Sequence, residues 1–248
     1  MREATVFGPI FSRRLGNSLG INLLPQEGKL CNFDCIYCEC GWNKDGMGDR
    51  LLPSAEDVRV ALEEKLSDCR AKGTPIDSIT FSGDGEPTLN PAFPAIVDIT
   101  IALRDEYYPG AVVSVLSNAT RAEREDVFQA LRKVDNPILK IDAPSDEAVE
   151  MINRPASGYS LGRVVKALER FDGQFVLQTM FLKAGSFSSA DWVDAWMDLV
   201  RKLKPREVMV YTIDRETPQK GLSKYTVDEM TELVRPLLEE GFKIQIKA

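Results

Sequence analysis

The chain has 248 residues, 44% of them hydrophobic and 28% charged, which is the balance of one large α/β domain with a full core. It contains no histidine, so Cys/His zinc sites, Ser-His-Asp triads and imidazole acid–base chemistry are excluded. Its net charge of −7 argues against strong non-specific binding to nucleic acid, which needs Lys and Arg to neutralise phosphates; Arg13–Arg14 and the Arg201, Lys202, Lys204 and Arg206 cluster are candidate basic patches, with solvated charge the commoner reading of both.

Residues 1–16 are interrupted by Arg2, Glu3, Pro9, Arg13 and Arg14, so no signal peptide is expected there. No apolar run reaches the length of a membrane span, and the expected location is cytoplasmic. Strand-like and helix-like stretches then alternate. Leu19–Leu24, Ser78–Phe81, Val112–Leu116, Ile138–Ile141, Phe175–Phe181 and Glu207–Ile213 are apolar with little alternation, as in parallel strands buried on both faces. Ser54 precedes Val58, Leu62 and Leu66, with Gly73 as a stop. Asn90–Pro91 reads as a helix start. Thr120 with Glu123, and Thr226 with Glu229, have the spacing of capping boxes, and Ser188 with Asp191 opens another helix. Gly158–Phe171 is a further helix, and Phe242–Ile246 is a closing strand.

Six β-α units with no linker predict an α/β fold in a single domain. Right-handed crossovers curl the six parallel strands into a partial (β/α)6 barrel. Residues 1–18 form an N-terminal extension, 19–213 the core, and 214–248 a C-terminal helix and strand. The chemistry of such folds sits on the loops after the strands.

Four of the five cysteines lie between Cys31 and Cys40, a crowding that points to metal binding. The loop Cys31-Asn-Phe-Asp-Cys35-Ile-Tyr-Cys38 offers three thiolates, enough to hold three irons of a cubane and leave the fourth open. A zinc site, or an electron-transfer cluster with Cys40 as fourth ligand, also fits this spacing. Cys40 and Cys69 otherwise read as packed thiols. After the second strand, Ser82-Gly83-Asp84-Gly85-Glu86-Pro87 supplies glycines for close backbone approach and a carboxylate.

In these two loops, and over its whole length, the chain resembles radical S-adenosylmethionine (SAM) proteins. Within that superfamily it resembles the wyosine-synthase-related group, which includes a queuine lyase. The second likeness rests on residues 7–16, Ser82–Leu89 and Ile152-Asn-Arg-Pro155. The resemblance implies a [4Fe–4S] cluster on Cys31, Cys35 and Cys38, with SAM chelating the open iron. Reductive cleavage of SAM then gives a 5′-deoxyadenosyl radical that abstracts hydrogen from a substrate. It also implies SAM contacts from Tyr37 (packing on adenine), Gly83, Gly85 and Glu86 (amino group), and Ser117 and Asn118. Lys140 and Asp142, Gln178 and Thr179 (ribose), and Tyr211 and Ile213 (adenine) complete that set.

Arg13, Arg14, Asp84, Asn153, Arg154, Asp214 and Arg215 are candidate substrate contacts. Wyosine synthases proper carry further N-terminal cysteines, and none precedes Cys31 here. The expected activity is therefore that of a lyase or oxidoreductase on a purine or deazapurine base or nucleoside, with flavodoxin or ferredoxin as reductant. A tRNA-modifying enzyme, an activating enzyme for a protein or peptide, and a non-catalytic electron carrier are the alternatives.

Overall fold

The computed structural model describes residues 4–12, 15–46, 48 and 50–248. Arg13 and Arg14 lie outside the described residues. The chain divides into two compact units, the first made of Met1–Asn32, Asn43–Ser117 and Arg124–Pro137, the second of Phe33–Trp42, Asn118–Glu123 and Ile138–Ala248.

In the first unit β1 (Val6–Ser12) and β2 (Gly16–Ile21) form an antiparallel hairpin. Strand β2 then pairs in parallel with β3 (Ser78–Phe81), and β3 in parallel with β4 (Val112–Ser117). Helices α1 (Ala55–Ala71), α2 (Phe93–Tyr107) and α3 (Glu125–Lys133) accompany them. All four residues of β3 are buried, which explains its unbroken apolar pattern.

Ser54 caps α1 as expected, exchanging hydrogen bonds with Asp57, and Val58, Leu62, Leu66 and Cys69 form its buried face. The β1–β2 hairpin departs from the expected extension. Its strands pair with Phe7 opposite Gly20, and the Phe7 ring lies where a Cβ on Gly20 would stand 2.0 Å from it, so glycine leaves room for the ring there. Helix α2 begins at Phe93, later than Asn90–Pro91 suggests. The Asn90 side chain instead donates to Leu23 O and Pro53 O, each at 3.0 Å, and accepts from Ala92 N at 2.8 Å.

In the second unit β5 (Asn136–Lys140), which enters it at Ile138, pairs in parallel with β6 (Val176–Met180). Strands β7 (Leu182–Ala184) and β8 (Phe187–Ser188) belong to a separate three-stranded sheet. Strand β9 (Glu207–Tyr211) pairs in parallel with β6, and the third strand of the small sheet is β10 (Ser223–Lys224). The closing strand β11 (Ile244–Lys247) pairs in parallel with β9, as expected.

The helices of this unit are α4 (Asp146–Asn153), α5 (Leu161–Glu169), α6 (Val193–Leu203) and α7 (Val227–Glu239). The capping boxes at Ser188 and Thr226 are present. The one expected at Thr120 is not: α3 starts at Glu125, and Thr120 Oγ1 bonds Asn118 Oδ1 at 2.7 Å instead. A short polar side chain that can bond a near neighbour competes with a helix start in this way. The two units are thus α/β in class, each with parallel strands accompanied by helices. Among the described residues no helix is long and apolar enough to cross a membrane.

Candidate functional site

The loop that follows β3 is pinned to the residue before the first cysteine of the Cys31–Cys38 stretch. Leu30 N donates to Asp84 O and Glu86 N donates to Leu30 O, both at 3.0 Å, with a parallel bridge between Leu30 and Gly85. Gly85 makes this possible. Its φ is +142°, and a Cβ there would stand 1.9 Å from Leu30 O, a contact no side chain could relieve. Gly83 is equally confined: a Cβ there would stand 2.0 Å from Asn22 Oδ1.

Glu86 is 2% exposed. Its Oε1 accepts from Thr88 N at 3.1 Å, Thr88 Oγ1 at 2.6 Å and Ser117 Oγ at 2.8 Å. The structure therefore joins Glu86 and Ser117, both expected on other grounds, and adds Thr88. Asn22 escapes sequence reasoning. It is buried, its Oδ1 accepts from Leu24 N at 3.2 Å and Asp84 N at 3.3 Å, and its Nδ2 has no partner among the described residues. An amide inside the apolar run Leu19–Leu24 is the available signal. Asp84 is buried in the same loop.

The second unit carries Cys35 and Cys38, with Cys38 N donating to Cys35 O at 3.1 Å. The end of α4 leaves carbonyls without helical partners, and the cysteine loop satisfies them. Asp34 N donates to Asn153 O at 2.8 Å and Ile36 N to Ile152 O at 2.9 Å. Phe33 and Pro155 form a bridge, and the Phe33 and Tyr159 rings meet edge to face. These contacts give the stretch Ile152-Asn-Arg-Pro155 a physical reason.

Tyr37 and Asp142, both buried, and the half-buried Lys140, all expected to face SAM, form one polar group. The Tyr37 hydroxyl donates to Asp142 and accepts from Lys140 Nζ at 2.8 Å. Asp142 Oδ1 accepts from Met180 N at 2.9 Å. Asn153, expected at the substrate, is 1% exposed and bonds Asp142 Oδ2 at 2.7 Å and Cys35 Sγ at 3.2 Å.

Burial raises the Cys35 thiol, with the charge of Lys140 pulling the other way. Burial and the Asp142 carboxylate push the Tyr37 hydroxyl well up. For Lys140 burial acts downward, yet its coulombic interactions with Tyr211, Asp142, Cys35 and Cys38 act upward and outweigh it, raising its pKa. The group thus keeps a cation beside the cysteines.

Gln178 and Thr179 are neighbours on β6 and point to opposite faces. Thr179 Oγ1 donates to Ile141 O at 2.7 Å and accepts from Trp196 Nε1 at 3.1 Å, which makes it a satisfied core hydroxyl. Tyr37 is buried, its hydroxyl engaged by Asp142 and Lys140 and its ring with Lys140 Nζ 5.0 Å from the centroid. Arg154 lies 4.7 Å from the Trp42 ring centroid and bonds Gln219 Oε1 at 2.9 Å. Arg215 pairs with Glu39 at 2.8 Å, and Asp214 is exposed. Asn118 is buried, with Oδ1 accepting from Thr120 N and Oγ1. Tyr211 and Ile213 are half-buried at and just beyond the end of β9. Among the described residues no three Cys, Asp or Glu side chains converge on a single ion position; a cubane spreads its thiolates over separate irons.

The family model of the radical SAM superfamily matches residues 28–176, spanning both the cysteine loop and the Gly83–Glu86 loop. The chain belongs to the radical SAM superfamily. Radical SAM proteins work with a [4Fe–4S] cluster and SAM as cofactors. A UPF0026 protein of Helicobacter pylori is 31% identical over 91% of this chain and 71% of its own length.

Two solved structures share the radical SAM fold with this chain. Streptococcus suis SuiB bound to S-adenosylmethionine has a TM-score of 0.64 at 14% identity, over 90% of this chain and 49% of its own. This chain therefore spans about half the length of that radical SAM protein. TYW1 with a lysine-pyruvate adduct bound has a TM-score of 0.63 at 14% identity, over 91% and 74%. The α/β, partial-barrel class expected from the sequence is the class of these structures.

Proposed function

We propose that Cys31, Cys35 and Cys38 hold the [4Fe–4S] cluster in a single radical SAM domain, that the Gly83–Glu86 loop holds SAM, and that the substrate is a small purine-like base or nucleoside. The residues present fit the cofactors. Three thiolates lie within eight residues of a chain without histidine, Cys35 accepts an N–H from Asn153, and Asn22 leaves a buried amide nitrogen without a partner beside the Gly83–Asp84 backbone. When bound, the cluster and SAM together supply a 5′-deoxyadenosyl radical that takes a hydrogen atom from the substrate.

The chain's own residues position and screen. Glu86 presents a buried carboxylate for the α-ammonium of SAM, and Thr88 and Ser117 fix its rotamer. Lys140 presents a charge suited to the SAM carboxylate, held in place by Tyr37 and Asp142. Burial of Glu86, Ser117, Tyr37 and Asp142 keeps water away and strengthens each interaction.

The small-substrate reading is supported by the partners of four cations of the second unit. Arg154 is held by Trp42 and Gln219, and Arg215 by Glu39. In the basic stretch, Arg201 pairs with Asp198 and Glu240, and Lys202 with Glu169. Phosphate binding by a polynucleotide would have to compete with the carboxylates that pair with Arg201, Lys202 and Arg215, whereas an enclosed base needs only a few placed polar groups. The comparison that tests this is anaerobic incubation of reconstituted enzyme, SAM and dithionite with bases, nucleosides, tRNA or peptides. Release of 5′-deoxyadenosine should be stimulated by bases or nucleosides. Stimulation by tRNA alone, with binding that weakens steeply between about 50 and 200 mM salt, or by peptides alone, would refute the substrate class.

A further inference from the structure

We infer that Asn153 is a positioning residue for the cluster: its side-chain amide donates a hydrogen bond to the Cys35 sulfur and so raises the cluster's reduction potential. The inference rests on the proposed ligation of the cluster by Cys35.

The orientation of the amide is decided by its surroundings. Nδ2 stands 2.7 Å from Asp142 Oδ2 and 3.2 Å from Cys35 Sγ. Exchanging the amide oxygen and nitrogen would set the oxygen against a carboxylate oxygen, two acceptors with no hydrogen between them. The NH2 group has two hydrogens. One is taken by Asp142, and the other is directed at the sulfur, with the Tyr37 hydroxyl oxygen further off at 3.4 Å.

Every part of this arrangement is fixed by something else. Asp142 is held by Tyr37 and Met180 N. The main-chain bonds from Asp34 N and Ile36 N to the end of α4 lie on either side of Cys35, so donor and sulfur are set in register by backbone. Asn153 is 1% exposed and Cys35 8%, so water does not compete for the sulfur, and a hydrogen bond in such surroundings is strong.

Adding an electron to a cluster places more negative charge on its sulfur ligands. A donor aimed at one of them favours the reduced form, and hydrogen bonds to the sulfurs are among the factors that set cluster potentials. The residue is therefore placed to ease reduction of the cluster, the step on which SAM cleavage depends.

The test uses reconstituted wild type, N153L and C35A. Leucine matches asparagine in size and lacks the donor. The expected result is that N153L keeps the cluster absorbance but titrates at a lower midpoint potential in an EPR-monitored redox titration. Wild type labelled with 15N in its asparagine side-chain amides should show a nitrogen hyperfine coupling in the reduced state, and N153L should lose it. Should N153L fail to take up the cluster, N153S serves in its place, and absence of the coupling in labelled wild type alone overturns the inference. A loaded variant with unchanged potential and unchanged coupling also overturns it. Retention of the intact cluster by C35A would instead sink the ligand assignment, which keeps the two failures distinct.

Discussion

Cys31→Ala, Cys35→Ala and Cys38→Ala should each abolish the cluster and all SAM cleavage, while Cys40→Ala and Cys69→Ala should retain both. Loss of one of three thiolates leaves an iron without a protein ligand, whereas the fourth iron must stay open for SAM. Cys40 is a half-buried thiol two residues beyond Cys38 and Cys69 is packed on the buried face of α1. Neither is needed to complete a three-cysteine site. Iron content, visible absorbance and 5′-deoxyadenosine yield of the five variants check this. Loss of the cluster in Cys40→Ala would favour the closed four-cysteine alternative.

Changes at Glu86 should separate its two roles. Glu86→Ala removes the acceptor used by Thr88 N, Thr88 Oγ1 and Ser117 Oγ. A buried donor left unsatisfied costs about 1–3 kcal/mol, so this variant should unfold at lower denaturant as well as bind SAM poorly. Glu86→Gln keeps an oxygen for those donors and loses the charge. It should fold like wild type and carry the cluster, yet bind SAM about 1.5–3 kcal/mol more weakly, roughly 10- to 150-fold. Isothermal titration of the oxidised, cluster-loaded variants measures this. Wild-type SAM affinity in Glu86→Gln would remove Glu86 from the ammonium site.

Local rules make much of the fold legible. The fully buried β3 reads from its apolar run, and Ser54, Ser188 and Thr226 cap where their spacing says they should. Helix α4 is hidden from such rules. It has eight residues between Pro144 and Pro155, although the Ser145 cap and the pair Ala148 and Ile152 are available as signals. The two-residue strands β8 and β10 are too short to show any period.

The candidate site is legible as loops and not as contacts. Cys35 and Asn153 meet across 118 positions, and Tyr37 and Asp142 across 105. No spacing rule links such pairs, so these contacts cannot be read from the sequence. Thr179 shows the opposite limit: it follows Gln178 in a promising stretch, but the two-residue period of a strand sends it to Trp196 and the core.

The most direct test of the central claim, an open iron beside a SAM-binding loop, is electron–nuclear double resonance on the reduced, reconstituted protein with SAM labelled with 15N at its methionyl amine. The expected result is a 15N coupling large enough to require a bond from that nitrogen to the cluster. A fully loaded, reduced cluster that shows no coupling at saturating SAM would contradict it.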